Sequence, residues 1–413
     1  MRILSGRAAE ARVRELSVRS SQFGKVEPQV KRIVESVRKH GDKVLRKYAE
    51  QWDGLGSRQA IRVEESEVEE ALKSAAPQLK AALKKAAENI RRFAQLQKPK
   101  EWQSNRNGIS VGQIVRPLGS VGCYVPGGRY PLVSTLLMTV IPAQVAGVKN
   151  IRVVSPQPRA EVLAAAGMLG ITEFYRIGGA QAVAALAYGT ESVKRVDKIV
   201  GPGNLYVTAA KKLVSFDCAI DFLAGPTEVV ILSDDGQPEF IAADLVAQAE
   251  HDPETLAVFI TTSSQLAKSV LAYTKQLSRN NPIAKDSLQR RGVILVASSH
   301  EQSIEWTNAI APEHVTVSRA DLQWIQNAGS IFIGDYSAQA AGDYASGPNH
   351  VLPTAGVARF RGGLSVTDFV KIITVQELSK QGLRRLAPVL EYLAEAEGLQ
   401  GHAESIRLRT AHA

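Results

Sequence analysis

From Gly112 to Ile333 short β-branched runs alternate with alanine-rich stretches at helical spacing, and this alternation restricts the possible folds more than any other feature of the chain. In the first series, strand-like 121–125 is followed by helical 133–146, 151–154 by 160–169, 174–177 by 180–188, and 198–200 by 205–213. A second series runs through 229–232, 240–249, 257–261, 265–277, 293–296, a helix around Ile304, and 330–333. This order predicts an α/β fold with largely parallel sheets covered on both faces, and two series predict two similar domains joined by a crossover at 222–228. Residues 28–52 and 64–96 carry apolar side chains at helical spacing, so the first hundred residues read as all-helical. From Thr374 the chain reads as helical again and ends in a charged tail, 404–409, that either packs on its own domain or reaches another subunit. The expected division is a helical N-terminal region at 1–110, domains at 111–228 and 229–373, and a C-terminal helical tail at 374–413.

Composition removes several classes. With 413 residues, 45% hydrophobic and 22% charged, the chain suits two or three packed domains and not disorder. No run approaches the roughly 18 apolar residues of a membrane span. The arginine-rich start, residues 1–21, lacks the apolar core of a secretory signal, so a cytoplasmic location is expected. Two cysteines, Cys123 and Cys218, are too few for a disulfide framework or a thiolate cage. Any metal must therefore rest on His, Asp, Glu or Gln. The net charge of +9 belongs wholly to residues 1–106, which hold 24 Lys or Arg against 14 Asp or Glu. Charges of both signs alternate there along amphipathic helices, the pattern of a solvated face, and no RNA-binding or zinc-finger pattern accompanies them.

Three glycine-rich turns follow predicted strands: Pro126-Gly127-Gly128, Gly178-Gly179-Ala180-Gln181 and Gly201-Pro202-Gly203-Asn204. None fits the G-x-G-x-x-G fingerprint, so each alone reads as a tight turn. Three at successive strand ends favour a ligand site, because ligands of parallel sheets bind beyond the carboxyl ends of strands. Gln181 and Asn204 could hydrogen-bond a ligand from such turns. Four of the seven histidines sit in polar motifs of the second half, and histidine suits both proton transfer near neutrality and metal ligation. Gln248 and His251, three apart on one predicted helix, share a face and can both ligate a cation, although such pairs are common by chance. Glu313-His314 after Pro312 suits acid/base work at an element junction, or else a helix C-terminus that favours histidine. In 342–350, Asp343 is a hard-oxygen ligand candidate and His350 a ligand or substrate contact. Glu397 and His402 lie five apart near the end and singly pass as surface residues.

Together these strings, with 122–128 and Ala224-Gly225-Pro226-Thr227-Glu228, resemble the histidinol dehydrogenase family over nearly the whole chain. The resemblance implies two incomplete Rossmann-like domains, a homodimer with shared active sites, NAD as oxidant and one zinc per subunit. It implies four-electron oxidation of L-histidinol through the aldehyde to L-histidine, the last steps of histidine biosynthesis. Gln248, His251, Asp343 and His402 match the family's zinc ligands, with His402 and Glu397 completing the partner's site. Tyr124, Gln181 and Asn204 match its NAD contacts. His350 and Glu397 match substrate contacts, and the ligand set and His314 also face the substrate. Thr227 stands where members usually have serine touching the substrate, and one added methyl can shift discrimination by roughly 1 to 3 kcal/mol. Oxidation of another small alcohol, such as a sulfonated diol, is therefore the alternative.

In the expected mechanism zinc orients the substrate, His314 is the general base of both oxidations, and Glu313 activates water for attack on the aldehyde. Cys123 beside a glycine turn is a candidate nucleophile for the aldehyde step. Nothing near it in the sequence would lower its pKa, so the water route is preferred. Two other classes remain to be separated by experiment: a zinc hydrolase using the same ligands, and a nucleic-acid binder relying on the basic N-terminal quarter.

Overall fold

The computed structural model describes residues 1–18, 23–127 and 131–411; Gly128 of the first glycine turn lies outside them. The chain opens on strand β1 (Arg2–Ser5) and continues through helices Gly6–Ser17, Glu27–Trp52, Glu65–Ser74 and Pro77–Gln97. β2 (Trp102–Arg106) and β3 (Ile109–Pro117) form a hairpin across Asn107-Gly108. Both turn residues have positive φ, which is what a two-residue turn matching strand twist requires. The first α/β series comprises β4 (Ser120–Tyr124), β5 (Asn150–Val154), β6 (Glu173–Tyr175), β7 (Lys198–Val200) and β8 (Ala219–Ile220). The second comprises β9 (Glu228–Leu232), β10 (Leu256–Thr261), β11 (Val293–Val296), β12 (His314–Val317) and β13 (Ser330–Ile333). β14 (Val370–Leu378) and helices Lys380–Ala396 and Gln400–Ala411 end the chain.

Both series form parallel sheets, as their alternation predicts. The first has the order β6-β5-β4-β7-β8 and the second β1-β11-β10-β9-β12-β13. In each, the first strand of the series lies in the middle and the order reverses beside it, between β4 and β7 and between β9 and β12. These reversals are the topological switch points of doubly wound sheets. Helices cover both faces. The alanines of helix Gly179–Tyr188 are buried almost without exception, and their short side chains let the helix approach the sheet closely. At Gly122 a Cβ would lie 2.8 Å from the Leu186 side chain.

Three segments depart from the sequence reading. β1 lies within the stretch read as all-helical; four residues are too few to display a period, and the partner of Arg2 in strand β11 is Val293, at the far end of the second series. Helix 64–96 is two helices, because Ala75 is extended and Pro77 begins a new helix at a position where its missing N–H costs nothing. Thr374 to Leu378, read as helical, belongs to β14, which pairs antiparallel with β3 to make a third sheet of order β14-β3-β2. Its run Ile372-Ile373-Thr374-Val375 carried the β-branched signal. Among the described residues no helix is long and apolar enough to cross a membrane.

Candidate active site

At the carboxyl edge of the first sheet a cleft of about 470 Å³ opens beside the switch point, and Tyr124, Gln181 and Asn204 all line it. Tyr124 ends β4. Asn204 follows β7 and caps helix Leu205–Val214, its Oδ1 accepting the N–H groups of Tyr206 and Val207 at 3.0 and 3.1 Å. That bond leaves the Nδ2 amide to donate to a ligand. Gln181 has the opposite polarity: its Nε2 donates to Asp53 Oδ2 at 3.0 Å, so Oε1 remains to accept. Asp53 Oδ2 also accepts from Gly178 N–H at 2.9 Å, and burial pushes its carboxyl above the usual range against both bonds. Trp52, which also lines the cleft, is 44% exposed and stacked on Tyr48 with ring centroids 4.7 Å apart. Trp52 and Asp53 escaped the sequence reading because they sit in a helical region whose approach to this sheet is purely tertiary.

A second group gathers at the opposite, amino edge of the second sheet. Helix His300–Ile310 ends where Ala311 turns left-handed, and Pro312 prevents its resumption. Glu313 is thereby delivered to the sheet edge and His314 becomes the first residue of β12. Helix Pro238–Ala249 runs back from the carboxyl edge and brings Gln248 to the same place. His251 lies past the end of that helix, not on it, and is exposed. Asp343, on helix Gln339–Tyr344, completes the group: its Oδ2 accepts from Gln248 Nε2 at 2.9 Å, and its Oδ1 lies 3.6 Å from His314 Nε2. Glu313 Oε2 lies 3.8 Å from His314 Nδ1 and accepts the N–H of Glu228 at 2.9 Å.

Electrostatics here is a contest between burial and pairing. Burial pushes the Glu313 carboxyl up to about 8, with His314 and the Glu228 N–H opposing and the Glu228 and Asp343 carboxylates assisting. For His314 burial disfavours the charged ring, but Glu313 and Asp343 outweigh it and the net shift is upward. Burial would also raise Asp343, yet the imidazoles of His314, His350 and His251 hold it below its ordinary range. His350 Nδ1 donates to the Asp343 carbonyl at 2.7 Å, and Thr135 donates to its Nε2 at 3.2 Å. Burial lowers its pKa, consistent with this neutral tautomer. Three buried polar atoms in the group lack any hydrogen-bond partner: His314 Nδ1, His314 Nε2 and Gln248 Oε1. Buried polar atoms are otherwise nearly always satisfied, so these are the marks of a site shaped for something else to bind.

The crossover leaves the carboxyl edge of the first sheet and enters the amino edge of the second. Thr227, half-buried, stands at that entry next to Glu228. The Thr135–His350 bond and the bond from Asn349 Nδ2 to the Met138 carbonyl at 2.6 Å tie the edges together. The carboxyl edge of the second sheet offers much less room. Its switch-point crevice measures about 90 Å³ and is lined by Asp235, Asp244 and Asp335. Nearby His300 bridges Asp234 and Asp321 at 3.1 and 2.7 Å.

Other predicted residues fall elsewhere. Glu397 and His402 are exposed beside and on helix Gln400–Ala411, which packs on helix Lys380–Ala396. No hydrogen bond or ion pair joins either to the group among the described residues, and no three His, Cys, Asp or Glu of the described residues form a metal-binding group. Cys123 is fully buried in β4 and its thiol is pushed up to about 12 by burial, which disfavours a thiolate nucleophile.

A family model described as histidinol dehydrogenase matches residues 16–410. The chain belongs to the histidinol dehydrogenase family. It is 49% identical to a histidinol dehydrogenase of Methanothermobacter thermautotrophicus over 91% of this chain and 92% of that one. It is 46% identical to that of Aliivibrio fischeri, over 91% and 88% of the two chains. The crystal structure of histidinol dehydrogenase from Elizabethkingia anophelis superposes with a TM-score of 0.94 at 35% identity, covering 100% of this chain and 98% of the other. The family match and the structural superposition thus agree over nearly the whole chain.

Proposed function

We propose that the chain oxidises L-histidinol by way of the aldehyde to L-histidine, in two hydride transfers at one site. The observation that carries this reading is the set of unpartnered buried atoms, His314 Nδ1 and Nε2 and Gln248 Oε1, in a chain that also opens a 470 Å³ cleft at the switch point of its other parallel sheet. NAD, when bound in that cleft, supplies the hydride acceptor for both steps. Asn204 would donate to it and Gln181 accept from it, beside Tyr124. A hydrolase would have no use for this second cleft.

The residues at the amino edge fit zinc. Gln248 Oε1 is a buried acceptor without a partner, Asp343 is held ionised, and His251 is near enough for its charge to act on Asp343. Carboxylate, amide and imidazole are a donor set this metal accepts. Gln248, His251 and Asp343 would hold the metal, which when bound would supply a Lewis acid that orients the substrate. His314 Nε2 takes the hydroxyl proton as hydride leaves the carbinol carbon, giving the aldehyde. Glu313 then removes a proton from water as it adds to the aldehyde carbon, and His314 returns its proton to the aldehyde oxygen, which gives the hydrate and frees the ring. His314 takes the second hydroxyl proton while the hydrate loses hydride, and the acid results. His350 would contact the substrate by exchanging its bond to Thr135.

His402 and Glu397 would enter from a second chain. The arm built from β14, β3, β2 and the last two helices supports this, because it exposes apolar side chains that none of the described residues covers. Trp102 is 52% exposed, Ile372 52%, Tyr392 73% and Leu393 54%. Exposed apolar surface on this scale marks an interface. A homodimer with shared sites in the cytoplasm is the assembly proposed.

Nicotinamide absorbance tests the activity. Zinc-loaded protein given histidinol and NAD should form two NADH per histidinol; no NADH overturns the reading. A sulfonated diol as competing substrate tests the consequence of Thr227.

A further inference from the structure

The ladder between β7 and β8 stops at Ile199 and Ile220, short of the 201–204 turn. A buried ion pair takes over from it. Asp221 Oδ2 accepts the Gly201 N–H at 2.8 Å, and Lys211 Nζ donates to the Gly201 carbonyl at 3.0 Å while pairing with Asp221 Oδ1. One ion pair therefore holds both backbone polar groups of a single glycine. Gly201 offers no other handle: φ is +113°, and a Cβ there would collide with the Tyr124 carbonyl oxygen. The Lys211 and Asp221 side chains are 3% and 0% exposed, so neither reaches the cleft. Asp221 Oδ1 also accepts from Phe222 N–H at 2.7 Å, at the start of the crossover. Arg361 donates to the Asp221 carbonyl and lies over the Phe222 ring, 4.8 Å from its centroid.

We propose that Lys211 and Asp221 are positioning residues for the dinucleotide: their ion pair fixes the 201–204 turn at the cleft and ties it to the crossover that carries Thr227 to the catalytic group. This rests on the reading of the cleft as the NAD site. A merely structural ion pair would behave differently. Removing one partner of a buried pair strands the other charge and destabilises the fold, whereas removing both charges is often neutral. The Lys211 bond to the Gly201 carbonyl, however, is lost in either case.

The test compares full-length wild type with K211M and with the double variant K211M/D221N, whose charges are both removed. Thermal midpoints are measured first, then NAD dissociation constants by calorimetry without histidinol, then KM for NAD and for histidinol. K211M should melt lower and bind NAD about tenfold more weakly, since ordering a loosened turn then falls on the ligand. The double variant should regain the midpoint without regaining NAD affinity. KM for NAD should rise in parallel while KM for histidinol stays within about twofold. If K211M does not fold, the double variant decides alone. NAD affinity that recovers together with the midpoint, or that never falls, overturns the proposal. Wild-type protein that binds no NAD at all overturns the reading of the cleft, and the proposal with it.

Discussion

Burial and charge compete most directly at His314, and the residues around it give the sharpest predictions. Both its ring nitrogens are buried without hydrogen bonds, and carboxylate oxygens of Glu313 and Asp343 lie 3.8 and 3.6 Å from them. H314N should lower both oxidation steps by about 10² to 10⁴, the usual worth of a positioned base. E313Q should chiefly slow the aldehyde step, because the first step needs no water; single-turnover NADH traces with histidinol and with the aldehyde separate the two. Equal loss at both steps would contradict the division of roles. The upward shift of Glu313 also has a stability consequence. Below the ordinary value of 4.5 the carboxyl is protonated in folded and unfolded chains alike, so Glu and Gln are equivalent there. Between 4.5 and about 8 the folded chain keeps a proton that the unfolded chain releases, and wild-type stability falls as pH rises. The melting advantage of E313Q over wild type, in metal-free protein, should therefore grow across this window and level off above it. An advantage that does not change with pH would mean that burial has not raised the carboxyl. Glu313, His314, Gln248, Asp343 and His350 were legible as motifs. Thr135 was not, because a threonine in an apolar helix has no signature until a histidine from another domain meets it.

At the scale of elements the central strands and helices follow their periods closely, since a buried strand or an alanine-rich helix imposes its pattern on nearly every residue. The failures lie at the edges, where β1 and β14 draw their pairing from distant sequence. β14 is exposed along most of its length, so neither face carried the alternation that marks a half-buried strand. The hairpin beside it depends on Gly112, where a Cβ would lie 2.5 Å from the Trp102 carbonyl oxygen. G112V should separate β2 from β3 and loosen the arm. Size-exclusion chromatography should then show the dimer dissociating while circular dichroism changes little, and an unchanged elution volume with full activity would sink the assignment of the arm to the dimer interface.

For the whole molecule the decisive prediction concerns whether one chain holds a complete site. Q248A and H402A should each be inactive as pure proteins. If His402 serves the neighbouring site, a mixed dimer of the two variants carries one site with both lesions and one with neither. Random reassortment should then restore about a quarter of wild-type activity. No recovery, with subunit exchange verified by a tag, would place every essential group within one chain. The alternation of strand and helix determined the two doubly wound sheets, because backbone hydrogen bonding and apolar periodicity are local properties that a sequence displays directly. The motifs likewise named most of the chemistry, since proton transfer and metal ligation need particular side chains. That the carboxyl edge of one sheet faces the amino edge of the next was settled in three dimensions alone. It depends on where a seven-residue crossover emerges and enters, and on contacts between residues as far apart as Thr135 and His350, which no local pattern encodes.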